Sequence, residues 1–307
     1  MAEPRRGAVA ASAPAVTVVV ATRGRGDSVV RTLRSVGTNR SVPYEVVVLD
    51  QSADEATATA VTPHLVDARI RYVRSTSVGL ARARNLAIAT ATTELIGLTD
   101  DDCEVPPDWL DGLLDAFATD ARIGVVFGNV MPAEHDRRAG FVPSYVRATP
   151  FLARSPRDKA GSDGMGACMA LRRSLWERLG GFDERFGAGA RFRAADEGEL
   201  AMRALAAGWL VYETPALRVV HHGFRDRGAG RELVHAYTYG AGAMMATHLR
   251  RRTPQAGRLL ATMAWRWASG RVHDAVRLGG GRHRVLRLRA FTQGFVAGVV
   301  ASDRRTS

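Results

Sequence analysis

Three short apolar runs, residues 16–21, 44–49 and 94–99, each stop at a cluster of polar residues, and stretches with helical spacing lie between them. The first run ends in Thr22-Arg23-Gly24-Arg25-Gly26, the second in Asp50-Gln51-Ser52, and the third in three consecutive carboxylates, Asp100, Asp101 and Asp102. Val29, Val30, Leu33 and Val36 mark one helix, and a second covers roughly residues 53–63. A short strand is expected over 70–73, then a helix over 79–91 with Leu80, Ala83, Leu86 and Ile88 as its apolar positions. Near-continuous apolar strands alternating with helices predict an α/β fold, with a parallel sheet covered on both faces.

In an open α/β sheet, ligands bind beyond the carboxyl ends of the strands. Polar residues often end a strand, so any one cluster is weak evidence. Three on one rim predict a site. The acidic triplet is the most demanding of them, because adjacent carboxylates repel unless a cation or many donors offset the charge. The following Cys103-Glu-Val-Pro-Pro-Asp-Trp109 is a proline-bearing loop entering a helix, not a solvated acidic tract. Neither a G-x-G-x-x-G turn after the first strand nor a G-x-x-x-x-G-K-[ST] loop occurs, so the dinucleotide and P-loop readings lose their main support.

A chain of 307 residues, 46% apolar, has room for a substantial core. Two cysteines far apart, Cys103 and Cys168, do not make a disulfide framework; they fit a reducing, cytoplasmic setting and small buried hydrophobes. Residues 1–15 read as a short disordered leader. No uninterrupted apolar stretch reaches the ~18 residues of a spanning helix. The net charge of +12 is uneven: residues 223–307 hold 16 Arg against Asp226, Glu232, Asp274 and Asp303, so the whole excess sits there. A balanced body with a basic tail argues against nucleic-acid binding, for which aromatic–basic interleaving is also lacking, and allows contact with an anionic membrane surface.

The ordered motifs resemble those of the inverting family 2 glycosyltransferases with a GT-A fold. Ala-Thr-Arg-Gly-Arg after the first strand, Val-Leu-Asp50-Gln-Ser after the second, Gly79…Ala83-Arg84-Asn85 and Thr-Asp100-Asp-Asp-Cys…Pro-Pro-Asp-Trp-Leu carry the first half. Gly166-Ala-Cys-Met-Ala-Leu-Arg-Arg, Gly180-Gly-Phe-Asp-Glu-Arg-Phe, Asp196-Glu197-Gly-Glu-Leu200…Arg203…Gly208 and Pro215…His221 continue it to about residue 222. The resemblance implies a Rossmann-like, mostly parallel sheet flanked by helices, followed by a basic helical extension. It divides the chain into a nucleotide-sugar half (16–110), an acceptor and catalytic half (111–222) and the extension (223–307).

The resemblance also implies roles. Asp50 would meet the nucleobase of a nucleotide-sugar donor, with Thr22, Arg23, Ser52 and Arg84 lining the pocket. Asp100 and Asp102 would form the D-x-D element around Mg²⁺ or Mn²⁺, with His221 as a further metal or diphosphate ligand and Asp101 on the donor side. Gly181, Phe182 and Asp183 would turn under a hydroxyl acceptor, whether glycan, lipid-linked or small molecule. In the family the base is the Asp of a Glu-Asp pair. Here the order is Asp196-Glu197, so Glu197 stands at the base position with one more methylene. The exchange leaves a catalytically impaired scaffold as the rival reading. An acidic first turn of a helix is its bland explanation.

Outside the motifs, Trp109 and Trp176 are expected in the core, and residues 134–163 as a long loop able to order over acceptor. In the tail, Leu259, Leu260, Met263, Trp265 and Trp267 mix with Arg258, Arg266 and Arg271. Val285, Leu288, Phe291, Phe295 and Val299 follow at helical spacing after Arg282, Arg284, Arg287 and Arg289. Such a helix fits either interfacial contact on the inner face of the membrane or packing on the catalytic body.

Overall fold

The computed structural model describes residues 13–259, 261–262 and 281–301. The first half alternates as the apolar runs dictate: β1 (Val16–Thr22), α1 (Gly26–Val36), β2 (Tyr44–Asp50), α2 (Ala56–Val61), β3 (Ile70–Arg74), α3 (Leu80–Ala89) and β4 (Leu95–Asp100). A two-residue β5 (Cys103–Glu104) and α4 (Trp109–Ala118) follow. The second half contains β6 (Ile123–Pro132), β7 (Gly140–Phe141), β8 (Phe151–Ala153), β9 (Cys168–Arg172), α5 (Arg173–Leu179), α6 (Asp196–Ala206), β10 (Leu210–His221) and β11 (Arg225–Asp226). Two long helices, α7 (Arg227–Arg250) and α8 (Gly281–Val300), follow among the described residues.

The main sheet runs β3-β2-β1-β4-β9-β6-β10-β5, with β8 added on β10, so strands from both halves form one surface. β1, β2, β3 and β4 are parallel, and β9 runs antiparallel between β4 and β6. The register matters for the site: Thr22 pairs with Asp50, and Ala21 with Asp100, so all three polar strand ends lie on one rim. Beneath β4, Trp109 and Leu113 pack where Gly97 leaves room, since a Cβ there would stand 2.9 Å from the indole. Trp109 is core, as expected. Trp176 is half-buried and donates through its Nε1 to Asn85, 3.0 Å away.

Two expectations are corrected. The buried face of α3 is Ala81, Ala83, Arg84, Ala87 and Ile88, while Leu86 is exposed. The i, i+3, i+7 row that faces inward passes through an arginine, which an apolar pattern does not select. Residues 134–163 are not one long loop, because β7 pairs with β11 and β8 with β10. Buried Glu213 explains the order. It accepts from Tyr145 Oη (2.8 Å), Ser162 Oγ (2.8 Å) and the Gly164 N–H (3.0 Å), and Arg147 lies 3.1 Å away.

The basic segment packs on the body rather than trailing from it. Asp226 caps α7 by accepting from the Gly228 and Ala229 N–H groups at 2.7 and 2.8 Å. Met244 and Met245 of α7 join Phe186, Phe192 and Met202 in a cluster against α6. α8 lies against α7 through glycines. A side chain on Gly294 would strike the Tyr239 carbonyl, and one on Gly242 the Phe291 carbonyl. The packing alternative for this helix is therefore realised, with Phe291 and Phe295 turned toward the body. Leu260, Met263, Trp265, Trp267, Arg266 and Arg271, and the side chains of Arg282, Arg284 and Val285, lie outside the described residues. No helix among the described residues is long and apolar enough to cross a membrane.

His248 of α7 is fully buried, with its Nδ1 3.0 Å from Thr253 Oγ1. Burial pulls its pKa down to about 4, with Glu199 and Asp183 opposing and Arg251 and Arg203 assisting. The unfolded chain takes up this proton near the ordinary histidine value of ~6.5 and the folded one only near 4, so stability falls with pH through that window. Chemical denaturation at about pH 7 and pH 5 should show the native chain losing about 2 kcal/mol more than His248→Gln. Equal losses would place the acid sensitivity elsewhere.

Candidate active site

The acidic triplet turns at the end of β4 and is held from three sides. Thr32 of α1 donates to the backbone oxygens of Asp101 (2.9 Å) and Cys103 (2.7 Å). Asp101 is buried, accepting from Thr22 Oγ1 at 2.8 Å and Arg25 Nη1 at 2.9 Å. Burial still outweighs these partners and lifts its pKa to about 6.

Asp102 faces β10. Its Oδ1 lies 3.1 Å from His221 Nε2, its Oδ2 lies 3.2 Å from Arg25 Nη1, and its carbonyl accepts from the His222 N–H at 2.8 Å. Burial works against the charged form of Asp102, but the His221 imidazole and Arg25 prevail and hold its pKa below the usual range. His221 is oriented by its other nitrogen, Nδ1, which stands 2.8 Å from the Pro143 carbonyl. Gly223 completes the cradle: a Cβ there would come within 2.7 Å of both Asp102 Oδ2 and His221 Nε2.

This donor set fits a divalent cation. Ligand atoms of Asp102, His221 and Cys103 lie within 4.8 Å of one another. Cys103 is a poor partner, because burial and the neighbouring carboxylates push its thiol well above the usual range and keep it protonated. An oxygen and an imidazole remain, few enough that phosphate oxygens would complete the shell of Mg²⁺ or Mn²⁺. A carbonyl that fixes the far nitrogen of the imidazole is the usual support for such a ligand.

Arg84 joins the two ends of the site. It is 3% exposed and donates through Nη1 to Asp196 Oδ2 at 2.8 Å and through Nη2 to Asp100 Oδ1 at 3.2 Å. Gly166 lets it lie there, since a Cβ would be 2.6 Å from Nη2. Burial disfavours its charge, but Asp196 and Asp100 more than compensate, so it stays cationic. Asp196 opens α6 after Ala195, whose φ of 70° is left-handed. Gly187 (φ 92°) gives Asp196 room, with a Cβ there falling 3.1 Å from its carboxylate. Glu197 borders the cavity, and burial followed by the Asp196 charge and hydrogen bond raises its pKa well above the carboxylate range.

A cavity of about 390 Å³ collects these groups. Thr22, Arg23, Arg84, Asp100, Asp101, Asp102, Asp196, Glu197 and His221 all line it. Asp50 and Ser52 lie behind the rim. Asp50 accepts from the Ser52 N–H (2.7 Å), from Ser52 Oγ and from Tyr72 Oη, while Ser52 Oγ accepts from the Gly24 N–H at 2.7 Å. Together they fix the loop that carries Arg23 and Arg25, and Gln51 borders the cavity in their place.

Gly181, Phe182 and Asp183 are not among the lining residues. Phe182 is core, Gly181 follows α5 with φ 79°, and Asp183 pairs with Arg185 (2.7 Å) and Arg251 (3.1 Å). Residues not singled out from the sequence also border the cavity: Arg25, Arg193, Arg225, and Leu233 and Tyr237 from α7. Arg25 was within reach of sequence reasoning, as an arginine between two glycines at a strand end. Nothing in the tail's pattern marked Tyr237.

The family model described as glycosyl transferase family 2 matches residues 17–180. The N-acetylglucosaminyl-diphospho-decaprenol L-rhamnosyltransferase of Mycobacterium tuberculosis is 25% identical over 247 residues, 69% of this chain and 77% of that protein. An O-antigen biosynthesis protein of Myxococcus xanthus is 28% identical over 70% of this chain, though over only 18% of its own length. Among solved structures, a mannosyltransferase from Pyrobaculum calidifontis in complex with GDP-Man and Mn²⁺ superposes with a TM-score of 0.60 at 21% identity, over 95% of this chain and 76% of that one. S. aureus TarS 1–349 in complex with UDP-GlcNAc gives 0.61 at 14% identity, over 92% and 81%. The structural likenesses establish a GT-A fold, and the family match over more than half of the sequence makes this chain a member of glycosyl transferase family 2, a glycosyltransferase.

Proposed function

We propose that the chain moves a sugar from a nucleoside-diphosphate sugar to an acceptor hydroxyl, with inversion, in a single displacement assisted by Mg²⁺ or Mn²⁺. The observation that carries this reading is the placement of the Asp102–His221 pair and Glu197 on one cavity. Asp102 and His221, with Asp100 beside them, would hold the cation. When bound, it neutralises charge on the departing diphosphate. Thr22 and Arg23 border the donor side, with Asp50 and Ser52 supporting their loop.

Glu197 takes the proton from the acceptor hydroxyl as the new bond forms on the face opposite the leaving group. Its raised pKa suits the task, because a base nearer the working pH accepts a proton more favourably. Asp196 is committed to Arg84 and acts as a positioning residue. Glu197 follows Asp196 in the first turn of α6, which begins after the left-handed Ala195. The names of the relatives, a diphospho-decaprenol rhamnosyltransferase and an O-antigen protein, favour a lipid-linked acceptor in cell-envelope glycan or glycolipid assembly over glycosylation of a secondary metabolite.

Membrane contact belongs to the same reading. The outward side of α8 exposes Leu286, Leu288, Val296, Val299 and Val300 near Arg289, on the most basic part of the chain. Apolar residues with arginines at one end suit an anionic interface, such as the inner face of the plasma membrane.

Glu197→Gln should lower kcat by at least about 10²-fold while donor affinity stays within about twofold. In the native chain the ascending limb of kcat/KM should lie above the ~4.3 of an ordinary glutamate, because its proton is held to higher pH. A thermal-shift panel of sugar nucleotides should give stabilisation that needs Mn²⁺, worth about 2.7 kcal/mol at 100 times Kd, and Asp102→Asn should remove the Mn²⁺-dependent part. No stabilisation by any donor would overturn the reading. Flotation with anionic vesicles should fall by about tenfold when Leu288 and Val296 are both changed to Asp; equal flotation would remove the membrane element alone.

A further inference from the structure

Arg25 occupies an unusual place in the charge balance of the cleft. Its Nη1 stands 2.9 Å from Asp101 Oδ1 and 3.2 Å from Asp102 Oδ2, so one nitrogen bridges two carboxylates of the triplet. The carboxylate side chains are 6% and 11% exposed, whereas that of Arg25 is 46% exposed. The acids are fixed and the guanidinium is the partner able to move. The backbone on either side is anchored, with the Gly24 N–H donating to Ser52 Oγ at 2.7 Å and Gly26 fitted against Ala60, 2.8 Å from where its Cβ would be, so the movement belongs to the Arg25 side chain.

Two other cations at the triplet are committed: Arg84 divides its charge between Asp100 and Asp196, and His221 is set on Asp102 by the Pro143 carbonyl. Arg23, Arg193 and Arg225 border the same cavity without a hydrogen bond to the triplet among the described contacts. Among the described residues, the Arg25 guanidinium hydrogen-bonds the protein through Nη1, and the residue borders the cavity with nearly half its side chain exposed. A guanidinium presents five donors, and phosphate oxygens match that fork.

We propose that Arg25 and the divalent cation compete for Asp102, and that Arg25 is handed from the triplet to the diphosphate of the donor when the cation binds. The proposal rests on the metal–diphosphate reading of the cleft and adds an exchange of partners to it. Asp102 would hold the dication, whose charge would oppose that of Arg25 at the same carboxylate. The guanidinium of Arg25, released from Asp102, would then be free to donate to the phosphate oxygens of the donor. Cation binding without nucleotide is weakened by the arginine it displaces, whereas nucleotide binding is strengthened by the same arginine. The cleft thereby favours the cation and diphosphate together over the cation alone.

The test uses the full chain and Mn²⁺ as the probe, titrated without nucleotide and followed by the electron paramagnetic resonance signal of free Mn²⁺. A titration of GDP and of UDP at saturating Mn²⁺ follows, read by calorimetry. Arg25→Ala should bind Mn²⁺ alone about fivefold tighter than the native chain and the nucleoside diphosphate about tenfold weaker. Arg25→Lys, which keeps a point charge without the fork, should restore the native Mn²⁺ affinity but only part of the nucleotide affinity. General damage to the fold lowers both affinities, so the opposite signs are the signature. Mn²⁺ affinity unchanged or weakened in Arg25→Ala would overturn the exchange. If at the same time Mn²⁺ binds the native chain and Asp102→Asn abolishes it, the metal site stands and only the role of Arg25 falls. Absence of Mn²⁺ binding in every variant would overturn both.

Discussion

A single buried guanidinium sets the distance across the cleft. Arg84 holds Asp100 at the end of β4 and Asp196 at the start of α6, residues 96 positions apart in the chain, through hydrogen bonds of 3.2 and 2.8 Å. An arginine this deep is costly unless both sides of its fork are met by charge. Here they are, and the consequence is geometric. The carboxylates of the triplet and the acid pair of α6 cannot drift apart without stranding a cation in the interior. Gly166 belongs to the same constraint, since any side chain there would occupy the place of the guanidinium.

Around that tie the site divides its carboxylates by environment. Asp196 is paired with Arg84, the pKa of Asp102 is held below the usual range by His221 and Arg25 despite burial, and that of Asp101 is lifted to about 6 by burial despite Arg25 and Thr22. Glu197, beside the tied Asp196, has its proton held more firmly than a surface glutamate would. Carboxylates whose surroundings push their proton affinities apart can take different roles in one reaction. The left-handed residues just before α6, Arg193 (φ 65°) and Ala195 (φ 70°), are the kind of backbone that persists where surrounding contacts over-determine it. They turn the chain so that the first helical residue meets Arg84 and the second borders the cavity.

The alternation of strands and helices was legible because buried parallel strands must be apolar along their length, and β1, β2 and β4 are. The rim was legible because polar residues interrupt those runs at fixed points, which the register then aligns. Pattern failed where a polar side chain is inside. Arg84 displaced Leu86 from the inward face of α3, and Glu213 ordered a stretch whose prolines, glycines and charges read as loop. It also failed where neighbours in sequence part in space. Ser52 and Asp50 satisfy each other and Tyr72 behind the rim, and Asp183 turns to arginines while Glu197, fourteen residues on, borders the cavity.

The tail packs on the body, one of the two arrangements its sequence allows, and the reason is electrostatic as much as apolar. Arg251, just past α7, reaches Asp183 at 3.1 Å and Glu199 of α6 at 3.1 Å, and Glu199 is itself fully buried against Arg203. A carboxylate buried that completely needs charged partners, and one of them comes from beyond the region where family resemblance is strong. The same helix that brings Arg251 also brings Leu233 and Tyr237 to the cavity. The segment thus contributes both to a buried ion network under α6 and to the wall of the cleft. The motifs end near residue 222, whereas residues lining the cavity continue to Tyr237.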